Sequence, residues 1–204
     1  MSKNLDKFYI LVAIFVATYI FSPILSGGRD IALLGYPIMP GSLLTIVNVA
    51  ILGVIQQNYG KDIASKIVVG GIIARVVIWS FTLLTLLLPT ASAIPGYDRV
   101  VFSGFRILLA GILARYVGII LIDIPMFQKV KERYNSFSAC LVISLITDTI
   151  IGRSIFIVAA KYGTDTNLVD RFIAQGTVSV VFILILAPVV AVLNRLLFPK
   201  PVGS

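Results

Sequence analysis

The stretch SLITDTIIGRSIFIVAA, residues 144–160, is apolar enough to cross a lipid bilayer, yet it carries Asp148 and Arg153 far from either end. A charge at the centre of a transmembrane helix costs about 2.5–3.5 kcal/mol on insertion scales. Such residues face the interior of a bundle, pair with one another or mark a site or pathway. Whether this segment is a span decides how every other charge in the chain is read.

The rest of the chain supports a span. Of 204 residues, 58% are hydrophobic and 13% are charged, where an average soluble domain has about a quarter charged. The mean hydropathy is +1.02. Six blocks approach the length of about 20 residues that a bilayer requires: Phe8–Leu25, Met39–Ile55, Ile67–Leu88, Phe102–Ile124, Phe137–Ala160 and Gly176–Leu197. Turn-forming stretches separate them: SGGRD (26–30), NYGKD (58–62), PTASAIPGYDR (89–99), QKVKERYNS (128–136) and KYGTDTN (161–167). Pro37 and Pro40 oppose a helix over IALLGYPIMPG, so 31–38 reads as an extended or partly re-entrant lead into the second block. The expected fold class is an all-α integral membrane protein, a single domain over 1–204 built as a bundle of six transmembrane helices. A signal peptide is the lesser reading of the first block, whose apolar run is long and is followed by no A-x-A site.

Lys and Arg set the expected orientation. Lys3, Lys7, Lys61, Lys66, Lys129, Lys131, Arg133, Arg195 and Lys200 gather on one side, against Arg29, Arg99, Lys161 and Arg171 on the other. The positive-inside rule then places both termini in the cytoplasm. The net charge of +8 follows from these flanking residues. No exposed basic stripe exists to suggest nucleic acid as a partner; the expected surroundings are the lipid bilayer. A lone cysteine, Cys140, excludes an intrachain disulfide and a cysteine zinc site, and reads as an inert buried thiol. The absence of histidine removes Ser-His-Asp and Cys-His catalysis and histidine metal ligands. With no phosphate loop and no metal-ligand spacing, no cofactor, no metal and no enzyme active site are expected. An assembly role leaves too little trace in a sequence to weigh.

Six charges remain inside the blocks: Arg75, Arg106, Arg115, Asp123, Asp148 and Arg153. Alternating span direction makes Arg106 outer, Arg115 central and Asp123 inner, with Asp148 central and Arg153 outer. Arg115 and Asp148 are therefore level and able to pair. Arg106 and Arg153 are level and alike, so they need an acceptor: an anionic or carbonyl-rich ligand, water or backbone carbonyls. At about 100° per residue, Asp148 and Arg153 diverge by about 140°, which favours partners on other helices. An Arg–Asp network that only fixes packing is the alternative. Arg75 can snorkel to the interface, and Asp123 lies within reach of Lys129. Ala110, Ala114 and Gly118 form a small-residue seam, with Gly70, Gly71 and Ala74, and Ala13 with Ala17, as similar groups. Asn48, Trp79 and Gln175 read as polar or stacking contacts.

The order of these features resembles the vitamin-uptake/queuosine precursor transporter family of bacterial membrane proteins. NYGKDIASKIVV (58–69) is similar to the start of that family's third helix, and FRILLAGILARYVGIILIDIPMF (105–127) to its Arg…Asp…Phe helix, with Arg106, Asp123 and Phe127 at the matching positions. SLITDTIIGRSIF (144–156) carries its Asp-Thr pair at Asp148 and Thr149, and LVDRFIAQ (168–175) its acidic start at Asp170. The resemblance implies a bacterial inner-membrane importer of a small nucleobase-like or vitamin-like solute, a 7-deazaguanine such as preQ0, preQ1 or queuine. With the internal charges and polar contacts noted above, the candidate substrate contacts are Asp148, Arg106, Arg115, Arg153, Asp123, Trp79 and Asn48. Asp148 would accept two ring N–H groups and Arg106 would donate to the ring carbonyl, with Trp79 or Phe156 on the ring face.

The chain departs from the family pattern in one direction. VIQQNYG (54–60) stands where acids are usual, Gln175 where a base is common, and Arg75, Arg115 and Arg153 are additional. The interior becomes more positive, so a more anionic vitamin-like solute is one alternative. A substrate-binding subunit of an energy-coupling-factor importer is another, since Ala13 and Ala17 suit a partner helix. A homodimer is equally compatible with the sequence.

Overall fold

The structure, a computed structural model, describes residues 2–28, 30–85, 97–161 and 167–199. In chain order the elements are α1 (Ser2–Gly28), a ribbon of β1 (Ile31–Leu33) and β2 (Tyr36–Ile38), α2 (Gly41–Tyr59), α3 (Lys61–Thr85), α4 (Tyr97–Ala114), α5 (Ile124–Tyr134), α6 (Phe137–Thr147), α7 (Arg153–Lys161) and α8 (Leu168–Leu197). Two π-helical segments complete the long helices: Arg115–Asp123 joins α4 to α5, and Asp148–Gly152 joins α6 to α7. Among the described residues six helices are long and apolar enough to cross a membrane: Leu5–Ser26, Gly41–Tyr59, Lys61–Thr85, Gly104–Tyr134, Phe137–Ala160 and Leu168–Leu197.

Several boundaries differ from the sequence expectation, among them the start of the third span, at Lys61 rather than Ile67. The second span extends to Tyr59, because Gln56 and Asn58 find partners inside the protein: Gln56 Nε2 donates to the Ile124 carbonyl at 2.8 Å and Asn58 Nδ2 to Asn194 Oδ1 at 2.8 Å. The fourth span continues through QKVKER and stops only where Asn135 turns left-handed, at φ 44°. The last span starts at Leu168, where Asn167 caps it by accepting from the Val169 and Asp170 N–H groups. Residues 31–38 are extended, as expected, and pair as an antiparallel ribbon with Leu33 opposite Tyr36. Leu34 and Gly35 turn it with φ 52° and φ 78°. Residues 86–96 and 162–166, and with them two of the expected breaks, lie outside the described residues.

The bundle is apolar outside and polar within. Leu184, Leu196 and Phe81 are 69%, 71% and 67% exposed, whereas Asn48 and Gln175 are 0% and 1% exposed. That arrangement suits lipid as the surroundings. The core between the helices is built from Phe15, Tyr19, Val49, Leu52, Ile119, Ile124, Leu141, Leu145 and Ile183. α1 contributes the stripe Leu11, Phe15, Tyr19 and Ser22, and α3 the stripe Ala64, Val68, Gly71 and Arg75, each at steps of three or four. Ala13 and Ala17 lie on the exposed face of α1 and form no internal seam, whereas on α3 Gly70 is exposed but Gly71 is buried, a Cβ there standing 3.4 Å from Phe15 and Tyr19. The Ala110, Ala114 and Gly118 row is internal: a Cβ on Gly118 would stand 2.8 Å from Gly152 Cα. Helices α1 and α2 meet as closely, where a Cβ on Gly41 would stand 1.8 Å from the Ser22 carbonyl oxygen. Ser22 Oγ donates to the Gly41 carbonyl at 2.9 Å across the same contact.

Gly41→Val therefore cannot be accommodated without separating α1 from α2, and is expected to destabilise the purified protein by about 1–3 kcal/mol. Gly70→Ala, whose Cβ meets nothing within 4 Å, is expected to melt at or slightly above wild type, because alanine stiffens a helix better than glycine. Thermal unfolding of the two variants in one detergent checks the contrast.

Candidate functional site

A cavity near the end of the bundle that bears the β ribbon reaches the polar interior. It encloses about 500 Å³ of non-atom space including its opening. Every long helix contributes to it: Ser22 and Ser26 from α1, Ser42 and Thr45 from α2, Arg75 from α3, Gly111 and Ala114 from α4, Phe156 from α7 and Gln175 from α8. Arg115, Asp148 and Arg153 complete the lining, so three of the six internal charges of the sequence converge here with a fourth, Arg75.

Two of these residues open the π segments. A π turn makes i→i+5 bonds, seen where the Ile124 N–H reaches the Ile119 carbonyl and the Arg153 N–H reaches the Asp148 carbonyl. Such segments are rare and concentrate at functional sites. Arg115 begins one and Asp148 the other, and the two segments cross at Gly118 and Gly152. Glycine is required in the neighbourhood on steric grounds as well: a Cβ on Gly152 would stand 2.6 Å from Asp148 Oδ1, and one on Gly111 would stand 2.6 Å from Arg75 Nη1.

The guanidinium groups are held differently. Arg153 donates from Nη1 to the Gln175 carbonyl at 3.1 Å and from Nη2 to the Ser42 carbonyl at 3.2 Å. Arg75 donates from Nη2 to the Tyr19 carbonyl, and its Cζ lies 3.9 Å from the centre of the Tyr19 ring. Arg115 approaches the same ring at 5.3 Å, and its Nη1 is buried without a hydrogen-bond partner. Among the described residues the direct Arg115–Asp148 pair that their common level suggested is not formed; Arg171–Asp30, outside the cavity, is the ion pair within 4.0 Å. Both side-chain amide atoms of Gln175 are likewise buried without partners. A carboxylate, a free guanidinium edge, a free amide and the ring of Phe156 thus face one space. Together they can take a planar solute with both donors and acceptors.

Four residues marked from the sequence lie elsewhere, each for a visible reason. Arg106 donates from Nε to the Ala159 carbonyl, at 3.4 Å, away from the cavity lining. Asp123 accepts from Ser144 Oγ at 2.6 Å, toward the end of the bundle that carries the termini. Asn48 donates to the Phe15 carbonyl at 2.8 Å and to Thr18 Oγ1 at 3.0 Å, joining α2 to α1. Trp79 packs on Gly104, where a Cβ would meet its ring at 2.0 Å. Conversely, Arg75, which its sequence position allows to snorkel, lines the cavity, stacked on Tyr19, a residue with no motif of its own. The stripes 64-68-71-75 and 11-15-19-22 point both inward and were the signal available.

A family model described as "putative vitamin uptake transporter" matches residues 40–193. The chain belongs to that family. No curated protein and no solved structure matches it. As a vitamin uptake transporter family member, the protein is a multi-pass membrane protein with a small-molecule substrate. The family match takes in every lining residue except those of α1, so Ser22 and Ser26 extend the cavity beyond the matched region.

Tyr19 links the two cations nearest the cavity floor, and its hydroxyl is buried without a partner. Tyr19→Phe removes an unsatisfied group and is expected to leave the ligand-free protein at least as stable as wild type. Tyr19→Leu removes the ring shared by Arg75 and Arg115, with an expected loss of about 2 kcal/mol or more. Paired melting curves without ligand test this. A Tyr19→Phe variant clearly less stable than wild type would show that the hydroxyl is bonded after all.

Proposed function

We propose that this protein imports a 7-deazaguanine, such as preQ0, preQ1 or queuine, across the bacterial cytoplasmic membrane, with both termini on the cytoplasmic side. The observation that carries the reading is Asp148. It is a carboxylate 4% exposed on a cavity wall, with no basic group within 4.0 Å among the described residues. A guanine-like ring presents two adjacent N–H donors on its Watson–Crick edge, and a carboxylate accepts both as a bidentate pair. Gln175 offers a donor and an acceptor to the remaining polar edge, and Phe156 a face for the ring. Asp148 sits midway along its span, where substrate sites of transporters are found. The serines of the lining, Ser22, Ser26 and Ser42, lie toward the end opposite the termini, which the positive-inside rule assigns to the exterior. That direction suits uptake.

A second reading has its own observation. Ala13 and Ala17 are exposed on α1, a small-residue strip that lets a partner helix approach closely. This favours a substrate-binding subunit of an energy-coupling importer, and co-purification of ATPase subunits from native membranes would select it.

Proteoliposomes containing the purified protein are expected to take up labelled preQ0, and Asp148→Asn to lower the initial rate at least tenfold. The asparagine amide turns an N–H toward ring donors and forfeits charge-assisted bonds of about 1.5–3 kcal/mol each. Trp79→Phe, outside the cavity, is expected to retain most of the rate. Wild-type uptake by Asp148→Asn would refute the assignment.

A further inference from the structure

A neutral ring bound by Asp148 leaves part of the cavity unanswered. Three arginines and one aspartate line it, a formal charge of +2. Arg153 is anchored to two carbonyls and Arg75 to one carbonyl and a ring. Arg115 has a different environment. It is 5% exposed, its Nη1 has no hydrogen-bond partner, and no carboxylate lies within 4.0 Å of it among the described residues. A buried guanidinium left in that condition is strongly unfavourable. Among the described residues two other buried donors on the wall have no partner: Arg75 Nε, on a guanidinium already held by the Tyr19 carbonyl and ring, and Gln175 Nε2.

We infer that the transported solute carries a carboxylate, received by Arg115 and the Gln175 amide, on the same planar ring whose N–H pair Asp148 accepts. The inference rests on the function proposed above and narrows its substrate class. The unpartnered donors of Arg115 and Gln175 match the two oxygens of a carboxylate, and the guanidinium fork fits its plane. A tetrahedral phosphate, with more acceptor oxygens and more charge, would leave oxygens unmet by these donors. A cationic substituent in that position would face Arg115 in a low-dielectric site and be repelled. The cavity therefore orders ring substituents by charge: anionic above neutral above cationic.

The test uses the full chain in detergent and three ligands that share one 7-deazaguanine ring and differ only in the ring substituent: a carboxylate, the nitrile of preQ0 and the aminomethyl group of preQ1. Calorimetric titration is expected to find the carboxylate at least about tenfold tighter than the nitrile, the equivalent of one charge-assisted hydrogen bond, with the aminomethyl compound weakest. Arg115→Gln is expected to shrink the carboxylate-to-nitrile ratio at least fivefold, and Arg115→Lys, which keeps the charge without the fork, to shrink it less. Equal or tighter binding of the nitrile by the wild-type protein would overturn this inference and leave the proposed function standing. Binding of none of the three would overturn both. An unchanged ratio in Arg115→Gln would overturn the role of Arg115. The first comparison uses the unaltered chain, so it stands even if the variants fail to fold.

Discussion

The guanidinium group in an apolar bundle is the constraint from which this architecture follows. Arginine stays protonated in proteins and offers five N–H donors, none of which lipid can satisfy. The protein supplies carbonyls and a ring in place of water. Arg153 reaches one carbonyl on α2 and one on α8; Arg75 reaches a carbonyl on α1 and lies on the same residue's ring. A helical carbonyl has a second lone pair beyond its backbone bond, so these contacts need no break in the helices. Each arginine is thus a strap between spans as well as a cavity wall. The same side chains that make insertion costly hold the spans in one arrangement.

The π segments are the second device, and they answer a geometric problem. Two charges on neighbouring spans must face one cavity while their helices cross within glycine contact. An ordinary α-helix fixes the angle between successive residues; a π turn inserts one extra residue and resets the faces on either side. Below Arg115 the helix presents Gly118, Ile119 and Asp123 to the interior, and past Asp148 it presents Gly152 and Arg153. Without the extra residues, the interior face before each segment would drift toward lipid after it. Gly118 and Gly152 then let the two distorted stretches touch backbone to backbone.

Much of this was legible because charge in an apolar block is so conspicuous. Asp148, Arg115 and Arg153 stood out from the sequence, and depth counting brought them to a common region. What failed was the step from level to contact. Depth says nothing of azimuth, so Arg115 and Asp148 were matched as partners though they face the cavity apart, and Arg106 was matched to a ring although its neighbour is the Ala159 carbonyl. Arg75 and Tyr19 were misjudged for a different reason. The snorkelling reading of Arg75 uses its chemistry alone and Tyr19 draws no reading, although the three-and-four spacing of their buried neighbours fixes their direction. The π segments have no sequence signature of their own, and they displaced every angular estimate that assumed 100° per residue across positions 115–123 and 148–152. The ribbon at 31–38 was readable because Pro37 and Pro40 leave the chain few alternatives.

The two ends of the bundle are built for opposite tasks. Around the cavity, arginine side chains bonded to carbonyls join the spans, together with the Ser22 hydroxyl bonded to the Gly41 carbonyl, and Ser22, Ser26, Ser42 and Thr45 are part of the lining. Toward the termini, Leu52, Ile124, Leu141 and Leu145 are at most 3% exposed and close the centre. Beyond them Gln56 to Ile124, Asn58 to Asn194, Lys131 to the Gln57 carbonyl and Lys7 to the Leu197 carbonyl join α1, α2, α5 and α8. A solute in the cavity cannot pass that plug without parting α2 from α5 and α6. The latches that resist the parting are the bonds from Gln56 to the Ile124 carbonyl and from Lys131 to the Gln57 carbonyl, two hydrogen bonds that are individually modest in net strength. The ribbon-side straps involve buried guanidinium groups, which are far more costly to strand. Motion that carried a solute onward would therefore break the terminal latches before the arginine straps, with the cavity walls moving as the rigid part.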